Sequence, residues 1–334
     1  MFKVLNLYRL QDKFANMLQD FKDLFWTLID LTFGYFFNLE KRIHWFYIFT
    51  SIILAYYVFK SLKGQKELDQ KSSFFSYVFK KENYLSSSAL TDYSFLLFNA
   101  FVKVFLIGSF AYISRSYQFE LTEWLQESFG LIKVDYSIGW LIFIYTISLL
   151  IIGDFSYYLL HLIYHKVPFL WTFHKVHHSS TALNPITQYR IHPVELILNN
   201  LRYIFVLTFL NGVFDYLSNG YYGPKTYLGV NVLLLAFNSW GANLRHSHIK
   251  LTYFNWLENW LISPYQHQIH HSSQKHLFDK NLGSKLAIWD KFFGTLIKSK
   301  EVENLEVGLG EENSKYDTFL KNLLRPFYEF FKVK

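Results

Sequence analysis

Residues 161–178 read HLIYHKVPFLWTFHKVHH, and this stretch decides the prediction for the whole chain. Five of its residues are histidines, and residues 267–271, which read HQIHH, add three more. The eight histidines of these three boxes are His161, His165, His174, His177, His178, His267, His270 and His271. On a helix, side chains at positions i, i+3 and i+4 share one face. Each box therefore presents its imidazoles in a single direction.

The number and type of these side chains indicate a metal site. Neutral imidazole binds zinc, copper, iron and nickel, and a tetrahedral zinc site takes only about four ligands. Eight histidines at ligand spacing therefore favour two metal ions. The chain has no cysteine, no histidine that follows a glutamate by three positions, and no H-E-x-x-H sequence. Thiolate sites, the Glu-x-x-His di-iron design and the common zinc-protease design are thereby excluded.

The composition is typical of a membrane protein. Aromatic residues make up 21% of the 334 residues, and charged residues only 18%, below the ~25% of soluble domains. Lysine and arginine together number 33 and aspartate and glutamate 26. This mild basic excess favours attraction to anionic lipid, and no basic run predicts a nucleic-acid partner.

Apolar segments predict an all-α, polytopic membrane helix bundle of about four or five spans or half-spans. The segments are residues 43–59, 93–113, 138–160, 194–214 and 226–240. The lysine-rich loop 60–92 is expected in the cytoplasm and the more acidic loop 114–137 on the opposite face. This threading places the histidines at the cytoplasmic ends of spans, in a cap of shorter helices.

The chain divides into four predicted regions. Residues 1–42 form an amphipathic, interfacial segment, and residues 43–137 hold the first spans and their loops. Residues 138–298 form a catalytic domain, and residues 299–334 form an interfacial tail that is first acidic, then basic and aromatic.

The amino-acid sequence around the boxes resembles that of the fatty acid hydroxylase/sterol desaturase superfamily of integral-membrane di-iron oxygenases. The resemblance covers about half of the chain, from Ile138 to Leu296. It is carried by DFSYYLLHLIYHKVPFLWTFHKVHHSS at 154–180, QYRIHPVE at 188–195, GANLRHSH at 241–248, SPYQHQIHHS at 263–272 and FDKNLGSKLAIWDKFFGT at 278–295.

The resemblance implies that the eight box histidines bind iron. Family members usually add a histidine pair between the second and last boxes, and here Ala242 occupies the first position of that pair while His246 fits the second. We therefore expect His246 to be a ninth ligand. His192 and His248 are weaker candidates for a ligand or a supporting role.

Side chains that support the ligands are also expected, because a ligating imidazole usually donates its other N–H to a carboxylate or carbonyl. Asp154 lies two helical turns before His161 and is the first candidate. Asn243 is a candidate for hydrogen bonding to a metal-bound water. Asp279, Asn281 and Asp290 are weaker candidates, for which capping or a surface ion pair is an equal alternative.

As a member of this superfamily, the chain would hold two iron ions, with zinc a possible substitute acquired during purification. It would use dioxygen to hydroxylate or desaturate a C–H bond of a sterol, fatty acyl or alkylglycerol lipid. No flavin or dinucleotide motif is present, so a separate small electron-transfer protein and a reductase are the expected partners. The expected location is the bacterial inner membrane or the endoplasmic reticulum, with the site on the cytoplasmic face. The alternative is a non-catalytic membrane protein that binds or transports metal.

Overall fold

The computed structural model describes residues 19–132, 137–220, 223–227 and 230–332, and their fold is all-α, as predicted. A first helix includes residues 19–30. The α-helices that follow are α1 (Trp45–Gly64), α2 (Phe74–Val78), α3 (Lys81–Tyr84), α4 (Ser87–Phe129), α5 (Ile138–Lys166), α6 (Pro168–His178), α7 (Pro193–Ser218), α8 (Val232–Ser239), α9 (Pro264–His270), α10 (Ile288–Phe293) and α11 (Phe319–Lys332).

Short 3₁₀ turns and one small strand pair complete the described part of the chain. The 3₁₀ turns are Phe33–Phe36, Thr187–Tyr189, Ala242–His246, Leu257–Asn259, Lys275–Leu277, Ser299–Glu301 and Gly310–Tyr316. The strands β1 (Thr226–Tyr227) and β2 (Val230–Asn231) pair antiparallel.

Three of these helices, α1, α5 and α7, are long and apolar enough to cross a membrane. Ser137 begins α5 by accepting a hydrogen bond from Trp140 N. Helix α7 packs against both α4 and α5, and the Tyr145 ring on α5 meets the Phe214 ring on α7 edge to face at 5.0 Å. The protein is therefore an integral membrane protein, and the number of spans stays a prediction.

Two predicted segments differ from the structure. The predicted segment 226–240 contains β1, β2 and the eight-residue α8. At 1.5 Å per residue, α8 is too short to cross the ~30 Å core of a bilayer, so it is not a full span. Residues 114–129, predicted as a loop, continue α4, which runs unbroken for 43 residues. Helix α4 contains the predicted span 93–113 but is not among the three candidate spans found in the described residues.

Short helices and loops form a cap at one end of α5 and α7. Val167 lies between α5 and α6, and Pro168 at the first position of α6 begins the new helix without losing a needed N–H. A capping box of Ser263 and Gln266 begins α9. Helix α9 packs against the turn Ala242–His246, and histidine rings on α6 contact both, with His178 next to His270 and His177 next to His246.

The two ends of the described chain carry exposed apolar side chains. Phe21, Phe25 and Trp26 on the first helix are 49–67% exposed. Helix α11 packs on α6 and leaves a stripe of apolar residues in solvent: Leu320, Leu324, Tyr328 and Phe331. Such a stripe is typical of a helix lying on a membrane, so the interfacial prediction for both ends stands as a prediction. Residues 1–18 of the predicted N-terminal segment lie outside the described residues.

Candidate metal centre

Nine histidines from distant parts of the chain come together in the cap as two adjacent groups. The five-histidine group contains His161, His165, His174, His178 and His270. The four-histidine group contains His177, His246, His267 and His271. Within each group, one ring nitrogen of every member lies within 4.8 Å of the others. The groups also touch each other, with the His178 and His271 ring centroids 4.8 Å apart.

The helical spacing explains why the boxes divide between the two groups. His174 and His178 are four residues apart, share one face of α6 and enter the five-histidine group, whereas His177 points to the other group. In the last box the assignment is reversed. His267 and His271 enter the four-histidine group, and His270 enters the five-histidine group. Each H-x-x-H-H motif therefore contributes ligand candidates to both groups, which holds the two groups next to each other.

The outward-facing nitrogens of the five-histidine group meet oxygen atoms. His161 Nδ1 donates to the Leu282 carbonyl at 2.7 Å and His270 Nδ1 to the Lys280 carbonyl at 2.9 Å. His165 Nδ1 forms a hydrogen bond with Asp279 Oδ1 at 3.1 Å. His174 Nδ1 lies 3.1 Å from Glu195 Oε1 but has no hydrogen-bond partner among the described residues. A proton held on Nδ1 leaves the lone pair of Nε2 free to bind a metal.

The four-histidine group has fewer such partners. His177 Nδ1 donates to the Arg190 carbonyl at 3.1 Å. The Nδ1 atoms of His267 and His271 are buried and have no hydrogen-bond partner among the described residues. This group is therefore held mainly by packing and by the positions of α6, α9 and the 242–246 turn.

The inward-facing nitrogens fit a bound cation. His161 Nε2 lies 3.0 Å from His174 Nε2, and His267 Nε2 lies 3.1 Å from His246 Nε2. The His161 ring already donates through Nδ1, so its Nε2 brings a lone pair toward its neighbour. The Nε2 atoms of His165 and His270 are buried and have no hydrogen-bond partner within the part of the chain that the structure describes. Buried, unpaired nitrogen lone pairs at this spacing are costly, and a metal ion in each group would satisfy them.

The protonation state of the cap histidines suits the same role. Burial lowers the pKa of His177 to about 4. Burial, reinforced by neighbouring imidazoles, also lowers the pKa of His174, His178 and His271. These rings are therefore neutral at pH 7, and neutral imidazole is the form that binds a metal.

Asp154 does not act as the predicted partner of His161. Its carboxylate accepts hydrogen bonds from Lys285 N and Leu286 N at 3.0 Å and from Trp289 Nε1 at 3.2 Å. The partner of His161 is the Leu282 carbonyl in the same loop, which Asp154 thus holds in place from further away.

Asn243, Asn281 and Asp290 also brace the backbone of the cap. Asn243 Nδ2 donates to the Arg42 carbonyl at 2.6 Å, and Asn281 Nδ2 donates to the Gln266 carbonyl at 3.0 Å. Asp290 accepts from Leu282 N and Gly283 N. The predicted hydrogen bond from Asn243 to a metal-bound water stays a prediction. Of the three weaker candidates Asp279, Asn281 and Asp290, Asp279 contacts a box histidine, His165.

His192 and His248 lie outside both groups. His192 caps α7 through Nδ1, which accepts from Val194 N, and its Nε2 donates to the Leu323 carbonyl at 3.1 Å. His248 Nε2 donates to the Tyr77 carbonyl at 2.6 Å, and its Nδ1 accepts from Asn83 Nδ2. Both rings have two local partners, so neither belongs with the metal-binding candidates.

Sequence reasoning missed Glu195 and the pair Asp92–Arg190. The Arg190 guanidinium is 1% exposed and donates to Asp92 Oδ1 at 2.6 Å, which positions the backbone carbonyl that His177 contacts. The motif QYRIHPVE contains Arg190 and Glu195 and was a signal for both residues. Nothing in the sequence linked Arg190 to Asp92, which lies about a hundred residues earlier.

Comparison with known proteins agrees with this geometry. Residues 146–295 match the family model described as fatty acid hydroxylase. The chain is 30% identical to human alkylglycerol monooxygenase over 157 residues, which cover 47% of this chain and 31% of that protein. It is 31% identical to human cholesterol 25-hydroxylase (44% and 49% covered) and 25% identical to ornithine lipid hydroxylase OlsE of Rhizobium tropici (53% and 49% covered). No solved structure matches.

These matches confirm, over residues 146–295, the resemblance that the histidine motifs predicted. In this region the chain is similar to the fatty acid hydroxylase/sterol desaturase superfamily. The matched region spans about a third to a half of the length of these curated relatives, and it contains all nine histidines of the two groups.

Proposed function

We propose that this protein is a membrane-bound di-iron oxygenase that hydroxylates or desaturates a C–H bond of a lipid. The observation that carries the proposal is the pair of adjacent buried histidine groups at the end of an apolar helix long enough to span a bilayer. The names of the relatives, all lipid hydroxylases or monooxygenases, support the same reaction class.

The two histidine groups would each hold one iron ion through Nε2 atoms. When bound, the iron ions supply the activation of dioxygen that a C–H oxidation requires, with electrons from a separate small redox protein and its reductase. The protein's own contribution is positional. Backbone carbonyls and the Asp279 carboxylate orient the rings through Nδ1 atoms, and burial keeps bulk water from the centre.

The location suits a lipid substrate. His161 and His165 occupy the last two turns of α5, where a substrate held by the bilayer reaches the cap without leaving the membrane. The lysine-rich loop after α1 packs on the same side, because Asn83 donates to the Leu183 carbonyl and contacts His248. Together with the positive-inside rule, this arrangement favours a cytoplasmic site.

Metal analysis of protein purified without oxygen tests the proposal directly. We expect about two irons per chain, and oxidation of membrane lipids only with both dioxygen and a reductant. Lipid mass spectrometry of cells that produce the native chain or a His174→Ala, His270→Ala variant then identifies the product. Full activity of that variant would overturn the proposal. Zinc in an aerobic preparation does not count against it, since imidazole sites acquire zinc readily.

A non-catalytic metal-binding or transport protein is the alternative. It predicts metal flux across vesicles that contain the protein, and no oxygen uptake with any lipid. Flux without oxygen uptake would favour this alternative, and oxygen uptake without flux would exclude it.

A further inference from the structure

Four basic side chains lie together beside the metal centre. They are Arg42, Arg202 on α7, Arg245 in the 242–246 turn and Lys285, and we call them the cationic cluster. Local contacts connect their positions. Arg245 Nη1 donates to the carbonyl of Ser284, which precedes Lys285, and Arg202 Nη1 donates to the carbonyl of Gly153, which precedes Asp154. Lys285 Nζ in turn lies 3.7 Å from Asp154 Oδ1, and the Arg42 carbonyl accepts from Asn243 Nδ2, two residues before Arg245.

One carboxylate within the cluster does not neutralise it. Asp154 Oδ1 lies 3.7 Å from Lys285 Nζ, beyond a good hydrogen bond. Both Asp154 oxygens already accept from backbone and indole N–H groups. Four positive charges thus face one carboxylate, and the bound metals proposed above add more positive charge nearby.

The cluster also has donors that nothing in the described structure satisfies. Arg245 is 1% exposed and donates through Nη1 to the Ser284 carbonyl. Its Nε and Nη2 atoms are buried and have no hydrogen-bond partner among the described residues, and the same holds for Nε of Arg202. A buried guanidinium with two unused donors is expensive unless an acceptor fills the space in front of it.

An acceptor can approach the cluster at Lys285. Of the Lys285 side chain, 26% is accessible to solvent, whereas Arg245 is 1% exposed. Planar arginine donors suit a carboxylate or phosphate, because their fork matches the paired oxygens.

The cluster and the metal centre share one side chain. The Tyr157 ring meets the His161 ring edge to face at 5.4 Å, and the Arg202 guanidinium lies 5.6 Å from the centre of the same Tyr157 ring. Arg245 also immediately precedes His246, a member of the four-histidine group. A ligand held by the cluster therefore lies next to the histidines.

We propose that the cationic cluster binds the anionic headgroup, carboxylate or phosphate, of the lipid on which the metal centre acts. The inference rests on the proposed function, and it makes the preferred substrate an anionic amphiphile rather than a neutral sterol or ether lipid. Arg245 supplies the two unused donors, and Arg42, Arg202 and Lys285 supply the surrounding positive charge.

Equilibrium binding to the purified, iron-loaded chain in nonionic detergent tests this proposal without turnover. The probes are oleate, oleyl phosphate, oleyl alcohol and inorganic phosphate. We expect the two anionic lipids to bind at least about tenfold more tightly than the alcohol, since charged hydrogen bonds contribute that much or more. Inorganic phosphate alone should not displace oleate, which separates a lipid headgroup from a free anion.

Variants locate the effect. Arg245→Gln and, separately, Lys285→Gln should reduce the preference for oleate over oleyl alcohol to about twofold while two irons per chain are retained. Arg325→Gln is the matched control, because Arg325 lies on α11 and pairs with Glu329 on the same helix. It should keep the full preference. Iron content reports whether each variant is folded. If one of the two cluster variants loses iron, the binding preference of the other one decides the test.

The outcomes separate this inference from the proposed function. Equal binding of oleate and oleyl alcohol by the native chain, or an unchanged preference in both cluster variants, would overturn the headgroup site even if lipid oxidation is observed. If the native chain prefers oleate over oleyl alcohol and the cluster variants lose this preference, but no oxygen-dependent product forms, the headgroup site is supported and the oxygenase is overturned.

Discussion

The five-histidine group and the four-histidine group use the same ligand type and differ in their support. Three Nδ1 atoms of the five-histidine group, those of His161, His165 and His270, have oxygen atoms as hydrogen-bond partners, and the partner of His165 is the Asp279 carboxylate. In the four-histidine group one Nδ1 atom donates to a carbonyl, and those of His267 and His271 have no partner among the described residues.

This difference has a chemical consequence. A carboxylate that accepts a hydrogen bond from Nδ1–H orients the ring and makes Nε2 a better electron-pair donor to a metal. We therefore expect the five-histidine group to bind its metal more tightly and the four-histidine group to release its metal first. The predictions below test this ranking, beginning with the largest effect.

Removal of one ligand from each group should separate the two sites. His174→Ala alters the five-histidine group and His271→Ala the four-histidine group, so each variant should retain about one iron and lose oxidation of lipid. Anaerobic iron analysis, with Mössbauer spectra of both variants, measures the remaining site. His276→Ala is the control, since His276 is an exposed histidine near the last box. Loss of both irons in either variant would mean that the groups form one inseparable centre.

The buried pair Asp92–Arg190 should affect stability most among the supporting residues. Asp92→Ala leaves the Arg190 guanidinium buried without its carboxylate, which costs about 3–5 kcal/mol. We expect a strongly lowered melting temperature, together with early iron loss from the four-histidine group, because Arg190 presents the carbonyl that His177 contacts.

Asp317→Asn is the matched control for Asp92→Ala. Asp317 forms an exposed ion pair with Lys321 one turn along the chain, and such pairs contribute at most about 1 kcal/mol. Asp317→Asn should leave both melting and iron content unchanged. An Asp92→Ala protein that melts like the native chain contradicts the predicted role of the pair.

Asp279→Asn should weaken metal binding by the five-histidine group. Loss of such a partner typically costs ~10–100-fold in metal affinity, so a ferrous chelator should now remove both irons at similar rates. In the native chain one iron should leave clearly before the other. Unchanged, stepwise release from Asp279→Asn would break the proposed ranking.

The contribution of Asp279 has a definite pH range. The hydrogen bond with His165 is the main cause that lowers the pKa of Asp279 from 3.8 to about 2. A carboxylate whose pKa is lower in the folded chain than in the unfolded chain stabilises the folded state at pH values above the unfolded-state pKa. This stabilisation is lost as the pH falls through the folded-state pKa. The difference between the native chain and Asp279→Asn should therefore be constant above about pH 4, in chelation assays buffered from pH 5 to 8.

The sequence predicted the all-α membrane fold and the histidine boxes because both depend on local patterns. A run of apolar residues or a spacing of three and four residues can be read without knowledge of distant contacts. His246 was also selected, from its place in a family word. How the boxes divide between two groups was not predicted, because it depends on how α6 and α9 approach each other.

The supporting residues were harder to predict for the same reason. Asp154 was chosen by its spacing from His161 on one helix, but its carboxylate faces the loop at Lys285 and Leu286. Backbone carbonyls such as that of Leu282 have no sequence signature at all. Residues 226–240 were predicted as a span or half-span from composition, and the pairing of β1 with β2 changes the path of the chain there.

The smallest expected effect concerns His192, which lies outside both groups and so tests where they end. His192→Asn keeps a side chain that can cap α7 and removes the hydrogen bond to the Leu323 carbonyl on α11. Iron content should stay at about two per chain. Loss of one iron from this variant would make His192 a ligand and end the division into five and four.

The same variant should change the pH dependence of stability. Burial lowers the pKa of His192 from 6.5 to about 4, so between these values the unfolded chain binds a proton that the folded chain does not. The folded state therefore loses stability as the pH falls through this range, by about 2 kcal/mol between pH 7 and pH 5 for this one group. Melting curves at the two pH values should lie closer together for His192→Asn than for the native chain. An equal separation would mean that His192 is already protonated at pH 7 or that its ring is not buried in the folded protein.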